Sequence, residues 1–315
     1  MKCKLCQSKD VKIIRNTLRH NIKRNVLQCD SCGFVFLDPI ENNNKQYYAS
    51  KEYRKSYGPI INKESNAEEI FNINLPFQQP IVDEISHIIK PNFKVLDVGC
   101  ATGHFLHSLK GKVKTRVGLE LNQEHVTFIN KRLGFKVYSE PIEEVSIKEG
   151  PFDLITCLQV LEHIDDPASF LKAIAKNLKS DGYLYLELPN IDDILLSYYE
   201  VEGYRGFYFR EPHVSYFSIK TLKILLDKAG FKGEVKTIQR YNILNHINWL
   251  LSGKPQDSYA VGNSEPALVK SNKVNKRIKK DFNDFIKLID LKYKKLLTKY
   301  NLGENLSFLG TLLHE

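Results

Sequence analysis

Apolar and polar positions along this chain alternate between two periods. Short apolar runs at Lys94–Val98, Arg116–Leu121, Lys136–Tyr138, Phe152–Leu158 and Tyr183–Leu188 have the length of strands. Between them, His104–Lys110, Gln123–Leu133 and Pro167–Lys179 space their apolar side chains three and four positions apart and predict helices. Strands that alternate with helices predict βαβ units and a parallel sheet. Upstream, Ile81, Val82, Ile85, Ile88 and Ile89 give Phe77–Ile89 a helical spacing, which Pro91 ends. Downstream, Thr221–Ala229 predicts a helix closed by Gly230, and Gly233–Arg240 a strand. Asn245–Leu251 and Lys273–Tyr300 then read as helices, and Ser307–Leu313 as a last strand. The expected class is α/β: a doubly wound, mostly parallel seven-stranded sheet with an antiparallel last strand, a small N-terminal unit and a helical insertion.

The expected division follows the same pattern. Residues 1–40 carry paired cysteines. Residues 41–75 are a polar connector with Tyr47, Tyr48, Tyr53 and Tyr57, read as packed linker or as a lid over a site. Residues 76–240 form the core, 241–305 an insertion and 306–315 the final strand. A compact core would join the last two strands by a short hairpin, so the insertion is an added substructure, either a cap over the site or a dimer surface. Trp249, Leu250 and Leu251 are its expected anchors.

Composition narrows the class. With 42% hydrophobic and 26% charged residues the 315-residue chain reads as globular. No apolar run has the roughly 18 residues that span a membrane, and the first residues lack a signal-peptide core, so the expected location is the cytoplasm. The net charge of +9 collects in the first 25 residues and in Lys270–Lys299 rather than in a stripe across the core. That distribution favours solvated faces over a nucleic-acid partner.

Candidate chemistry begins at Lys94–Val98, which runs into the turn Gly99-Cys100-Ala101-Thr102-Gly103 and then a helix. Small residues there let the backbone approach a ligand. Glu120 closes the second strand about twenty residues later, where an acid can bind both ribose hydroxyls of an adenosine group. Gly99, Ala101 and Gly103 do not make the G-x-G-x-x-G dinucleotide fingerprint, which weakens a nicotinamide reading.

The stretch Asp97-Val-Gly-Cys-Ala-Thr-Gly103 resembles the first motif of the class I, Rossmann-like S-adenosylmethionine-dependent methyltransferases. The resemblance continues through Phe152–Leu158 and the turn Gln159-Val-Leu-Glu-His163. It implies that Asp97, Gly99, Cys100, Ala101, Gly103, Glu120 and Leu121 hold the cofactor. Pro141 and Ile142 would flank adenine, and Leu158 and Gln159 would neighbour the methionine part. Asp97 is expected to orient the loop by bonding backbone amides. His163 is expected either to face the methyl group or to order the turn before Pro167.

Cys3-x-x-Cys6 and Cys29-x-x-Cys32 are two thiolate pairs 22 residues apart. Their spacing predicts a closed, structural zinc tetrahedron, with disulfides or free thiols as the alternatives. A ribbon of this kind before a tyrosine-rich connector and such a core resembles the bacterial sugar methyltransferases, including C-methyltransferases of nucleotide-linked deoxysugars. That resemblance implies a nucleotide-linked or activated sugar as substrate, in surface polysaccharide or natural-product biosynthesis. The acceptor atom, oxygen, nitrogen or carbon, stays open.

On the substrate side, Glu211 and His213 precede the Thr221 helix in a loop expected at the carboxyl edge of the sheet. They are expected to act as an acid/base pair, the alternative being that His213 packs against the helix start. Sugar C-methyltransferases carry a similar Glu-His pair, although Pro212 separates the two residues here. Competing functions are a methyltransferase for a phenolic or lipid-like substrate, an RNA-binding or RNA-modifying protein using the ribbon and basic insertion, and a scaffold that has lost catalysis. A homodimer through the insertion is a further expectation.

Overall fold

The computed structural model of the chain describes residues 2–39 and 65–313. The four connector tyrosines lie outside those residues. Three strands come first, β1 (Val11–Thr17), β2 (Lys23–Cys29) and β3 (Val35–Leu37). Helix α1 (Ala67–Asn74) starts at a capping box in which Asn66 accepts from the Glu69 amide and the Glu69 carboxylate accepts from the Asn66 amide. Helix α2 (Gln79–Ile85) follows a single turn of 3₁₀ helix.

The core then alternates as the apolar pattern predicts: β4 (Lys94–Val98), α3 (His104–Ser108), β5 (Thr115–Leu119), α4 (Gln123–Arg132), β6 (Lys136–Tyr138), β7 (Phe152–Leu158), α5 (Pro167–Asn177) and β8 (Leu178–Pro189). Next come two short helices, α6 (Ile194–Ser197) and α7 (Glu202–Tyr208), then strand β9 (Ser215–Tyr216) and helix α8 (Ile219–Lys228). Strand β10 (Phe231–Ile238), helices α9 (Ile243–Ser252), α10 (Tyr259–Asn263) and α11 (Lys276–Lys299), and strand β11 (Asn305–Leu312) complete the order.

The large sheet runs β10-β11-β8-β7-β4-β5-β6. From β6 to β8 every pairing is parallel, and β11 lies antiparallel between β8 and β10. This is the expected seven-stranded, mostly parallel sheet. Both faces are covered, which explains why its central strands are apolar throughout: Leu96, Ile155, Leu184 and Leu186 are fully buried on one face, and Val95, Leu154 and Tyr185 on the other.

A second sheet, β1-β2-β3-β9, ties the N-terminal unit to the core. Its last pairing, Val35 with Tyr216 and Phe36 with Ser215, joins segments far apart in sequence. Leu5, Phe34 and Phe36 share one apolar cluster with Phe217, Leu225 and Leu226 of the core. Burial of that cluster welds the unit to the sheet. Between β10 and β11, Trp249 is buried against Tyr204 and Phe207 and holds α9 in place. Leu250 and Leu251, expected to anchor beside it, are instead exposed on the outer side of α9.

Candidate functional site

At the carboxyl end of β4 the chain turns sharply, with positive φ at Gly99, Ala101 and Gly103. A Cβ on Gly103 would lie 2.6 Å from the Phe135 ring, and one on Gly99 would lie 2.4 Å from the Val160 methyl. Both positions therefore need glycine for conformation and for space. The amides of Gly99 and Cys100 both donate to the Leu119 carbonyl, and that of Gly103 to Cys100, so these three are used inside the turn. Cys100 is buried with its Sγ against Gly118 of β5, which makes it packing for the loop rather than lining of a site. Asp97 does not bond backbone amides as expected. Its carboxylate accepts from the Thr156 hydroxyl at 2.7 Å, and burial raises its pKa to about 7.

Glu120 follows β5 with its carboxylate partly exposed, one oxygen accepting from the Asn122 amide at 2.7 Å and the other 3.9 Å from His125. Ala101, Leu121, Pro141 and Leu158 are half-buried around the same edge, with Ile142 buried behind Pro141. Gln159, exposed and at positive φ, stands just past β7. It reaches into a cleft of about 510 Å³ between the sheet edge and helices α7, α9 and α10.

Rings and amides both line the cleft walls. Phe77, Tyr204, Phe207 and Trp249 supply rings, and Asn74, Gln78, Asn245 and Gln256 supply amides. Three arginines reach it. Arg19, from the β1–β2 turn, lies 3.9 Å over the Phe207 ring. Arg240 grips Glu187 through two hydrogen bonds of 2.7 and 3.2 Å. Arg210 donates from Nε to His213 Nε2 at 2.8 Å.

That last bond overturns the expected pairing of Glu211 with His213. The Glu211 side chain makes no hydrogen bond or ion pair with any described residue, and the carboxyl beside His213 is Glu162, 3.9 Å from Nε2. His163 stands edge-on to His213, with ring centroids 4.8 Å apart, and its Nδ1 bonds the Pro212 carbonyl at 2.8 Å. Burial, helped by the Arg210 charge, holds both imidazoles neutral: His163 is lowered to about 3 and His213 well below its usual value. Burial raises Glu162 to about 8, and neither of its oxygens has a hydrogen-bond partner among the described residues.

A family model described as a methyltransferase domain matches residues 71–234, just over half of the chain. The chain belongs to this methyltransferase family. The methyltransferase is 29% identical over 164 residues to the ubiquinone biosynthesis O-methyltransferase of Thiobacillus denitrificans, a match covering 49% of this chain and 71% of that protein. With the enzyme of the same name from Aliivibrio fischeri it shares 33% over 103 residues, 31% of this chain and 44% of the relative. Among solved structures, a SAM-dependent methyltransferase from Archaeoglobus fulgidus is similar at a TM-score of 0.47 and 19% identity, covering 76% of this chain and 98% of that one. The chain is an S-adenosylmethionine-dependent methyltransferase of the class I fold.

The methyltransferase also carries the four paired cysteines as a cluster. Their sulfurs all lie within 4.8 Å of one another, with Cys3–Cys32 at 3.6 Å and Cys6–Cys29 at 3.5 Å. These separations exceed the S–S bond of about 2.05 Å, and they are near the ~3.8 Å edge of a tetrahedron built on Zn–S bonds of about 2.3 Å. Positive φ at Gln7 and Gly33 turns each knuckle so that amides face the sulfurs. No helix among the described residues is long and apolar enough to cross a membrane.

Sequence reasoning missed Arg19, Glu162, Arg210 and the Glu187–Arg240 pair. Glu162 and Arg210 had a local signal, their places beside His163 and three residues before His213. Arg19 is brought to the cleft by the small sheet and Arg240 by the end of the antiparallel strand β10.

Proposed function

We propose that the methyltransferase moves a methyl group from S-adenosylmethionine to an oxygen of an activated, nucleotide-linked sugar held in the cleft. What carries this reading is the lining. Amides of Asn74, Gln78, Asn245 and Gln256 can bond ring hydroxyls, the aromatic side chains can stack on a sugar or base, and Arg19 and Arg210 suit an anionic linkage. The choice of oxygen is supported by the relatives' printed names. Residues 241–305 act in this reading as a cap, since α9 and α10 form one wall.

The bound cofactor supplies an electrophilic methyl on a sulfonium. Glu120 would hold the ribose diol, Ala101 and Thr102 would offer the loop's amides, and Gln159 would stand between loop and cleft. His213, neutral and accepting from Arg210, aims that arginine at the acceptor. The acceptor's proton would pass to His213 Nε2 once the Arg210 N–H turns to the acceptor oxygen, and Glu162, 3.9 Å away, would stabilise the resulting imidazolium when its carboxyl is ionised. The four cysteines hold structural zinc, a closed set of four sulfurs with no open position.

A second reading is a phenolic acceptor, favoured by the ubiquinone-biosynthesis relatives and by the rings of Phe77, Phe207 and Trp249. Purified protein, labelled cofactor and matched panels of nucleotide sugars and phenols separate the two. Label on a nucleotide sugar supports the first reading, label on phenols alone replaces it, and label on neither overturns both.

A further inference from the structure

Helix α11 carries a feature unrelated to the cleft. Its 24 residues, about 36 Å at 1.5 Å per residue, pack on the protein through Ile286, Asp290 and Leu297. A second stripe, turned about 90° from the first at 100° per residue, consists of Ile278, Phe282, Phe285, Ile289 and Leu296. Ile278, Phe282, Phe285 and Leu296 are each more than half exposed, and so are Leu288 and Leu291, which lie off the stripe. A soluble face does not ordinarily keep two phenylalanines and two aliphatic side chains in water along one line.

The charges around the stripe identify what it meets. From Lys276 to Lys299 nine lysines and arginines stand against three aspartates. Asp290 points into the protein, where it accepts from the Ile243 amide, and Asp284 is matched by Lys280. Arg277, Lys295 and Lys299 border the stripe on the side away from the packed face, and Lys292 lies within it. Two such helices laid together would bring like charges together, which disfavours a second copy of the chain. An anionic lipid surface satisfies both features at once, because it takes apolar side chains between its headgroups and attracts the flanking lysines.

We propose that α11 is an interfacial helix that docks the methyltransferase on a membrane rich in anionic phospholipid, lying in the plane of the headgroups. Docking through this face is independent of the substrate in the cleft. It involves no crossing of the bilayer.

Flotation of the full chain with vesicles tests it. Wild type is expected to float with phosphatidylcholine vesicles containing phosphatidylglycerol and to stay behind with phosphatidylcholine alone, with binding falling as salt rises. Phe282→Ser with Phe285→Ser should weaken binding at least roughly tenfold. Lys292→Ala with Lys295→Ala should weaken it about 25-fold, at roughly fivefold for each charge. All four positions are on the outside of the helix, so melting temperature and cofactor affinity should stay at wild-type values. Absence of flotation, or flotation indifferent to these changes, overturns the proposal. So does a wild-type dimer in sedimentation that becomes a monomer with Phe282→Ser and Phe285→Ser, which would make the stripe a contact between copies.

Discussion

Replacing Gly103 by alanine isolates what the turn after β4, the proposed cofactor loop, demands of its backbone. Gly103 has φ +75°, and an added Cβ would lie 2.6 Å from the Phe135 ring, 3.0 Å from Leu133 and 3.2 Å from Ile129. The left-handed conformation costs a non-glycine residue about 1–2 kcal/mol. Forcing a methyl into a packed interior costs about 1–3 kcal/mol more. The expected total, about 2–5 kcal/mol, is a large part of a typical stability of about 5–15 kcal/mol. Gly111 is the control, since it has φ +77° with nothing within 4 Å of the added atom. Gly111→Ala should therefore lose only the conformational part, about 1–2 kcal/mol. Urea unfolding, read from midpoints at constant slope, compares the two. Gly103→Ala should also weaken cofactor binding, because relief of the clash must move the loop, whereas Gly111→Ala should not. If the two variants unfold within about 0.5 kcal/mol of each other, less than the packing cost assigned to overfilled cores, the loop is looser than its contacts imply and the reasoning fails.

Glu120→Ala should weaken S-adenosylmethionine binding roughly 10- to 100-fold by calorimetry, the worth of hydrogen bonds to a charged group. A loss below threefold would remove Glu120 from the ribose. One zinc per chain is expected in freshly purified protein, and its extraction, or Cys29→Ser, should lower the unfolding temperature while turnover falls more than cofactor affinity. Metal-free protein with wild-type melting would contradict that. Burial raises Glu162 to about 8 from a usual 4.5, so it is protonated at neutral pH and ionises as pH passes about 8. Turnover per KM should therefore rise through that point, and Glu162→Gln should flatten the profile. The same carboxyl makes the native state lose stability as pH climbs from about 4.5 to about 8, the sign expected for an acid whose folded value is the higher one.

The large sheet was legible because its strands are buried on both faces and so spell continuous apolar runs. β4, β6 and β7 fall on the predicted residues. β8 begins five residues early, at Leu178, because its first residues include the polar Lys179, Ser180 and Asp181, which carry no alternation to read. The small sheet was not legible. β1 is largely exposed and β9 has two residues, so their pairing depends on partners far along the chain. The sharp turn after β4 could be read because glycines must sit where φ is positive. The cleft could not, since its chemistry depends on which distant groups meet. Glu211 is two residues from His213 in sequence, but the turn through Pro212 leaves it apart, while Glu162 arrives from another strand end. Proximity along the chain did not identify which carboxyl lies beside His213.

The pairing of Val35 with Tyr216 also sets an order of events during folding. The cysteine knuckles close with local contacts and, on the proposed zinc reading, could take a metal as soon as they emerge from the ribosome. Their β3 edge then stays unpaired until about 180 further residues have been made. During that interval an exposed strand with three apolar residues, Val35, Phe36 and Leu37, is free to pair with another chain. The shortness of β3, followed at once by Asp38 and Pro39, limits that hazard, because a three-residue edge ended by proline offers little template for another strand.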